Sequence, residues 1–183
     1  QYEKSHEKNY VFGYEESYGS LIKPFVRDKD ATQACLLLAE ACAYYLSKGK
    51  TLMDVMNEAY EKVGYYYDTQ FSIMLPGADG AVKLQEIMSN IRNHPLQVPG
   101  FKTLKIEDYK LQKVYEEGKE EDFKLHDVSD VLKYYLEDGS FIAIRPSGTE
   151  PKCKCYLSVK DTSMDKAKEK CAGFISYVRS MMQ

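Results

Sequence analysis

Phe141-Ile142-Ala143-Ile144-Arg145-Pro146-Ser147-Gly148-Thr149-Glu150-Pro151-Lys152-Cys153-Lys154-Cys155 joins two extended runs through a short turn rich in groups that bind anions. Bulky apolar residues lead in and an alternating run to Val159 leads out, so the spacing predicts strand, loop, strand. A Walker loop is excluded: Gly-Lys-Ser/Thr is missing and no helix follows. Arg145 presents a planar fork of donors suited to phosphate or carboxylate. Ser147 and Thr149 add hydroxyls, and Gly148 has no side chain to hold an anion away from the backbone. Successive N–H groups in such a turn can form a concave anion nest. The other reading is an ordinary turn, with Pro, Ser and Gly as turn formers and Arg145 in a surface ion pair. From these residues alone both stay open.

Outward from this stretch, Asp138-Gly139 between Val131–Leu136 and Ser140–Ile144 predicts a hairpin with a two-residue loop. From Cys153 to Val159, Cys153, Cys155, Leu157 and Val159 face one way and Lys154, Tyr156 and Ser158 the other. Thr162 with Asp165 predicts the cap of a last helix, whose stripe is Met164, Ala167, Cys171, Phe174, Val178 and Met181. Phe101 to Tyr109 alternates, and the charged run Glu116 to Asp122 reads as a solvated loop. Residues 96–183 therefore predict an α+β domain, an antiparallel sheet packed with helices.

Upstream the pattern is helical. The first eight residues read as the tail of a helix whose beginning is missing, and Tyr10 to Tyr14 as a short buried strand opening into a loop at Glu15. Asp30 with Gln33 resembles a capping box before the stripe Ala31, Ala34, Cys35, Leu38, Cys42, Tyr45, which Gly49 stops. Thr51 with Asp54 caps a second helix ending at Gly64, and Tyr65 to Met74 reads as extended. A helix over 78–92 follows, and Asn93, Pro95, Pro99 and Gly100 place the domain junction near residues 92–100. The organisation expected is an α/β part over 1–95 and the α+β domain over 96–183.

Composition bounds the function. A compact chain of 183 residues buries about 70% of its unfolded surface, enough for a real core. A formal net charge of −3 argues against broad attraction to nucleic acid or anionic membrane, and no apolar run approaches a membrane span. The five cysteines lack any Cys-x-x-Cys spacing, so buried thiols in a reducing cytoplasm are expected rather than a metal or redox site.

A second stretch changes the weight of the first. Phe12-Gly13-Tyr14-Glu15-Glu16-Ser17-Tyr18-Gly19, then Val26-Arg27-Asp28-Lys29-Asp30-Ala31, precede Arg145-Pro146-Ser147-Gly148-Thr149-Glu150-Pro151-Lys152. In this order the three resemble the α-D-phosphohexomutases, the phosphoglucomutases and phosphomannomutases. Members of that family have four domains, and the resemblance covers the end of the third and the whole of the fourth. It implies exchange of a phosphoryl group between the 1- and 6-positions of a hexose phosphate through a phosphoserine, a hexose 1,6-bisphosphate intermediate and Mg2+. It further implies that Arg145, Ser147, Gly148, Thr149 and Lys152 grip the phosphate that is not reacting. Glu15 and Ser17 would bond neighbouring sugar hydroxyls, and Lys29 would aid proton transfer or hold phosphate. For Lys29 an ion pair with Asp28 or Asp30 is the competing reading, and Glu16 is left as a surface carboxylate.

The family's phosphoserine loop, Thr-Ala-Ser-His-Asn-Pro in many members, is absent from this sequence, as is its metal-binding Asp-x-Asp-x-Asp-Arg. No metal ligands are therefore expected here. The partners expected are a small sugar phosphate and the missing N-terminal domains of the same polypeptide, with neither nucleic acid nor membrane. The piece alone is expected to bind sugar phosphate without turning it over. The alternative is a non-catalytic phosphosugar-binding module. Glucose, mannose and pentose phosphates stay open, with the Tyr14-Glu15-Glu16-Ser17-Tyr18-Gly19 form nearer to the phosphoglucomutase branch.

Overall fold

A computed structural model of the chain describes residues 9–15, 18–123, 128–148 and 150–182. It divides into two compact units, the first ending at Val63 and the second beginning at Gly64.

In the first unit β1 (Gly13–Tyr14) and β2 (Ser20–Leu21) form a two-residue antiparallel ladder, followed by α1 (Ala31–Leu46) and α2 (Leu52–Val63). The Asp30 carboxylate accepts from the N–H groups of Thr32 and Gln33, which starts α1. Gln33 does not complete a capping box. Its Nε2 donates to Asp30 Oδ2, and its Oε1 accepts from the N–H groups of Ile22 and Lys23, tying the preceding turn to the helix. Thr51 and Asp54 do form the reciprocal box: Thr51 N–H donates to Asp54 Oδ2 at 2.7 Å and Asp54 N–H to Thr51 Oγ1 at 3.2 Å. Neither helix buries a residue, and Leu36, Leu38 and Leu46 stand more than half exposed. The buried strand expected over Tyr10 to Tyr14 is likewise short and open, with Val11 82% exposed. A ladder two residues long gives these side chains no second layer to pack on. The helix tail expected in the first eight residues lies outside the described residues.

The second unit holds a seven-stranded antiparallel sheet. In chain order its elements are β3 (Tyr65–Met74), α3 (Gly80–Asn93), β4 (Thr103–Asp108), β5 (Lys113–Glu116), β6 (Lys119–Asp122), β7 (Leu132–Leu136), β8 (Phe141–Pro146), β9 (Lys152–Asp161) and α4 (Met164–Met181). In space the strands run β3-β9-β8-β7-β4-β5-β6. Cys153, Cys155, Leu157 and Val159 all turn inward, as alternation predicts, and pack with Leu84, Met88 and Ile91 of α3 and Cys171, Phe174 and Val178 of α4. Both helices therefore cover one face, and the other face of the sheet stays open. This is the α+β architecture expected of the C-terminal part.

Four local expectations change. β3 pairs with β9 over all ten of its residues, so the junction expected at 92–100 falls inside this unit. Pairing across a long separation carries no local sign in the sequence. The run Glu116 to Asp122 is a hairpin, β5 to β6, turned by Glu117 and Gly118, both at positive φ; β6 is exposed throughout, so its charges mimic a loop. The Asp138-Gly139 turn spans three residues, with Leu136 N–H donating to Ser140 C=O across it and Gly139 at φ 87°. Last, α4 is capped by Ser163, whose side chain accepts from Lys166 N–H, not by Thr162.

Candidate functional site

Arg145 stands near the end of β8 opposite Lys154 of β9, on the sheet face that carries no helix. Two bonds shape the turn that follows. Ser147 N–H donates to Lys152 C=O at 2.8 Å, and Lys152 N–H to Glu150 C=O at 2.7 Å. A third, from Leu75 N–H to Pro151 C=O at 2.8 Å, anchors the loop to the chain leaving β3. The Ser147 amide is thus spent on closing the loop, which removes one donor from the nest expected there.

Arg145, Pro146, Ser147, Gly148, Glu150, Lys152 and Lys154 line an open pocket of about 330 Å³. A side chain at Gly148 would meet nothing within 4 Å, so that backbone is open to a ligand. Arg145 is exposed and has no ion pair among the described residues, against the reading of it as half of a surface pair. Lys152 does have a partner, the carboxylate of Glu150. The pocket therefore carries three cationic side chains against one carboxylate, a net two positive charges, which matches a phosphate monoester dianion. Lys154 was not among the residues expected here. Its alternation on β9 was legible, but only the β8–β9 register sets it beside Arg145. Thr149 lies outside the described residues.

In the first unit, Glu15 N–H donates to Gly19 C=O at 2.8 Å and closes the other turn. Gly19 leaves room for the Lys29 stem: a Cβ there would meet Lys29 Cδ at 2.4 Å and displace it. The lysine stem crosses the turn and brings its ammonium within 3.0 Å of Asp28 Oδ1 and 3.3 Å of Glu15 Oε1. Hydrogen bonds to Asp28 first, then Glu15, raise the Lys29 pKa above its ordinary value. It stays cationic and orients Glu15. Ser17 and Glu16 lie outside the described residues, and Arg27 is exposed.

Among the described residues no group of three or more His, Cys, Asp or Glu is placed to hold a metal ion. Cys153, Cys155 and Cys171 are buried free thiols; Cys35, expected to be buried, is exposed on α1. No helix among the described residues is long and apolar enough to cross a membrane.

The second unit thus carries a strand-flanked, open cationic pocket, and the first unit a separate turn bearing the Glu15 carboxylate. Residues 2–63 match the family model for phosphoglucomutase/phosphomannomutase alpha/beta/alpha domain III, and residues 103–170 the model for the C-terminal domain of the same proteins. The chain belongs to the phosphoglucomutase/phosphomannomutase family. It is 41% identical over 170 residues to phosphoglucomutases of Staphylococcus aureus strains RF122 and N315, covering 92% of this chain and 31% of each relative. The chain thus spans about a third of the length of those relatives. Among solved structures it resembles the exocytosis-sensitive phosphoprotein pp63/parafusin, a Paramecium phosphoglucomutase in an open form. The TM-score is 0.59 at 17% identity, over 91% of this chain and 29% of that one, which supports the fold alone.

Proposed function

We propose that this chain is the sugar- and phosphate-binding end of a phosphohexomutase whose intact form interconverts hexose 1-phosphate and hexose 6-phosphate. The observation that carries the reading is the Arg145 guanidinium, without an acidic partner among the described residues, at a pocket lined by two further lysines. Arg145 and Lys154 hold the phosphate that is not reacting, Ser147 and Thr149 add hydroxyl donors, and the open backbone at Gly148 admits the ester. Lys152, already held by Glu150, contributes field more than contact. Glu15 accepts from sugar hydroxyls, with Ser17 as its neighbouring donor, and Lys29 fixes the orientation of Glu15 as a cation and does not shuttle protons. The family relation makes glucose phosphate the favoured hexose.

Phosphoryl transfer of this kind rests on positioning and electrostatic stabilisation, which these residues supply. The serine donor belongs to other domains of a longer polypeptide, and the reaction passes through a hexose 1,6-bisphosphate. Mg2+, which the family uses to balance phosphate charge, finds no set of ligands among the described residues, so no step is assigned to it here. The proposed setting is the cytoplasm, where the free thiols Cys153, Cys155 and Cys171 stay reduced. The chain alone binds and does not turn over. The lack of the donor loop in the sequence equally favours a non-catalytic phosphosugar-binding module, and an upstream reading frame encoding serine and metal loops decides between them.

The test is calorimetric. Arg145→Ala is expected to weaken hexose 6-phosphate binding by roughly 1.5–3 kcal/mol, the range for a hydrogen bond to a charged group. That is about ten- to a hundredfold in affinity. Unchanged affinity in a correctly folded variant removes Arg145 from the site.

A further inference from the structure

On the open face of the sheet, Lys133 of β7 stands directly across from Glu107 of β4 and from Ala143 of β8. Cross-strand register would ordinarily pair that lysine with that glutamate. Glu107 is already engaged: Oε1 accepts from Lys105 Nζ at 2.8 Å, and Oε2 from the hydroxyls of Tyr109 at 3.0 Å and Tyr135 at 2.9 Å. The Lys133 ammonium lies instead 4.1 Å from the centre of the Phe141 ring and 4.7 Å from that of Tyr135. It has no carboxylate within ion-pair distance among the described residues, and Lys105 shares the Tyr135 ring at 4.2 Å.

From this geometry we propose that Lys133 is the preferred acylation site of the chain, its amine accepting the acyl group of an acyl phosphate. The Nζ lone pair attacks the carbonyl carbon, an amide C–N bond forms and the C–O bond to phosphate breaks. Inorganic phosphate leaves, one proton passes from nitrogen to solvent, and nothing is oxidised or reduced. Only the unprotonated amine reacts, and two features of this face supply it. Rings stabilise a cation less than a carboxylate does, and half-burial disfavours the charged form. Burial lowers the Lys133 pKa; the charge of Glu107 opposes this and that of Lys105 adds to it. Tyr109 and Tyr135, whose hydroxyls bond Glu107, have their pKa values pushed up, Tyr109 to about 12, and remain neutral; Tyr156 and Lys154 of β9 share this face one strand further on, Tyr156 directly across from Ala143. Arg145 lies diagonally along β8 and, with Lys105, makes the face attractive to an anionic donor.

The 183-residue chain is incubated with acetyl phosphate at pH 7.5, and acetylation of each lysine is followed by peptide mass spectrometry. Lys62 and Lys119, both exposed, serve as references. Lys133 is expected to react at least about threefold faster than either, because its unprotonated fraction is larger, and in 6 M guanidinium the advantage disappears. A Lys133 rate at or below the references, or an advantage that persists on unfolding, overturns the proposal. In a parallel arm with acetyl-coenzyme A, the Lys133 preference is expected to be smaller. A larger preference with the thioester overturns the assignment of the donor class.

Discussion

Gly80 sets how closely α3 can approach the phosphate loop. A Cβ there would meet the Leu75 carbonyl oxygen at 2.1 Å and Pro151 Cβ at 2.9 Å, and Leu75 is the residue whose N–H holds Pro151. Replacing a helix glycine by alanine ordinarily gains up to about 1 kcal/mol. Forcing a methyl against packed backbone costs roughly 1–3 kcal/mol. The second effect wins, because the nearest obstacle is a main-chain oxygen that cannot rotate away. Gly80→Ala is therefore expected to destabilise the chain on urea denaturation and to shift the amide resonances of Ser147 to Lys152. A variant as stable as the parent would show that the start of α3 does not brace the loop. Little of this was legible in the sequence, where Gly80 falls inside the helix expected over 78–92 and nothing marks its approach to Leu75 or Pro151. The Arg145 to Lys152 stretch read equally as an anion-binding turn and as an ordinary one, and only its order with the two upstream stretches favoured the first, whereas Lys154 needed a strand register that no local pattern encodes.

At the scale of elements, alternation on β9 gave its inward face correctly, because a core layer tolerates no polar residue at those positions. The β5–β6 hairpin escaped, because an exposed edge strand is kept charged to discourage pairing with other chains and so has a loop's composition. The end of β9, the hairpin loop before β8 and α4 are joined by one side chain: Lys170 Nζ lies 2.8 Å from Asp161 Oδ2 and 3.1 Å from Asp138 Oδ2, and donates to Lys160 C=O at 2.6 Å. The hydrogen bond from Lys170, followed by the Thr162 N–H, holds the Asp161 pKa at about 2, below its ordinary 3.8. A carboxyl whose pKa is depressed by folding stabilises the fold above its unfolded value, and that contribution is lost as pH falls through the folded one. The melting temperature is expected to drop between about pH 4 and pH 2 with a share that Asp161→Asn removes. Parallel curves for parent and variant across that window would show that the clamp adds no stability.

Across the whole molecule, burial is uneven. The second unit encloses a core from Leu84 to Met182, while α1 and α2 bury no residue and leave Leu36, Leu38 and Leu46 in water. Helices in proteins draw most of their stability from packing an apolar face, since the helix–coil balance alone is marginal at this length. The sequence made α1 legible through its cap and stripe; what covers the stripe was not, because periodicity marks a face and not its partner. If that partner is the remainder of a longer phosphohexomutase, as proposed above, the two units differ in protection within the 183-residue chain. Amide hydrogens of Ala31 to Leu46 then exchange far faster than those of β8 and β9, and joining the preceding domains in one polypeptide slows α1 selectively. Equal protection of α1 and β9 in the shorter chain would mean that α1 is already stably packed. Unchanged exchange of α1 in the longer one would mean that its apolar face belongs to some other partner.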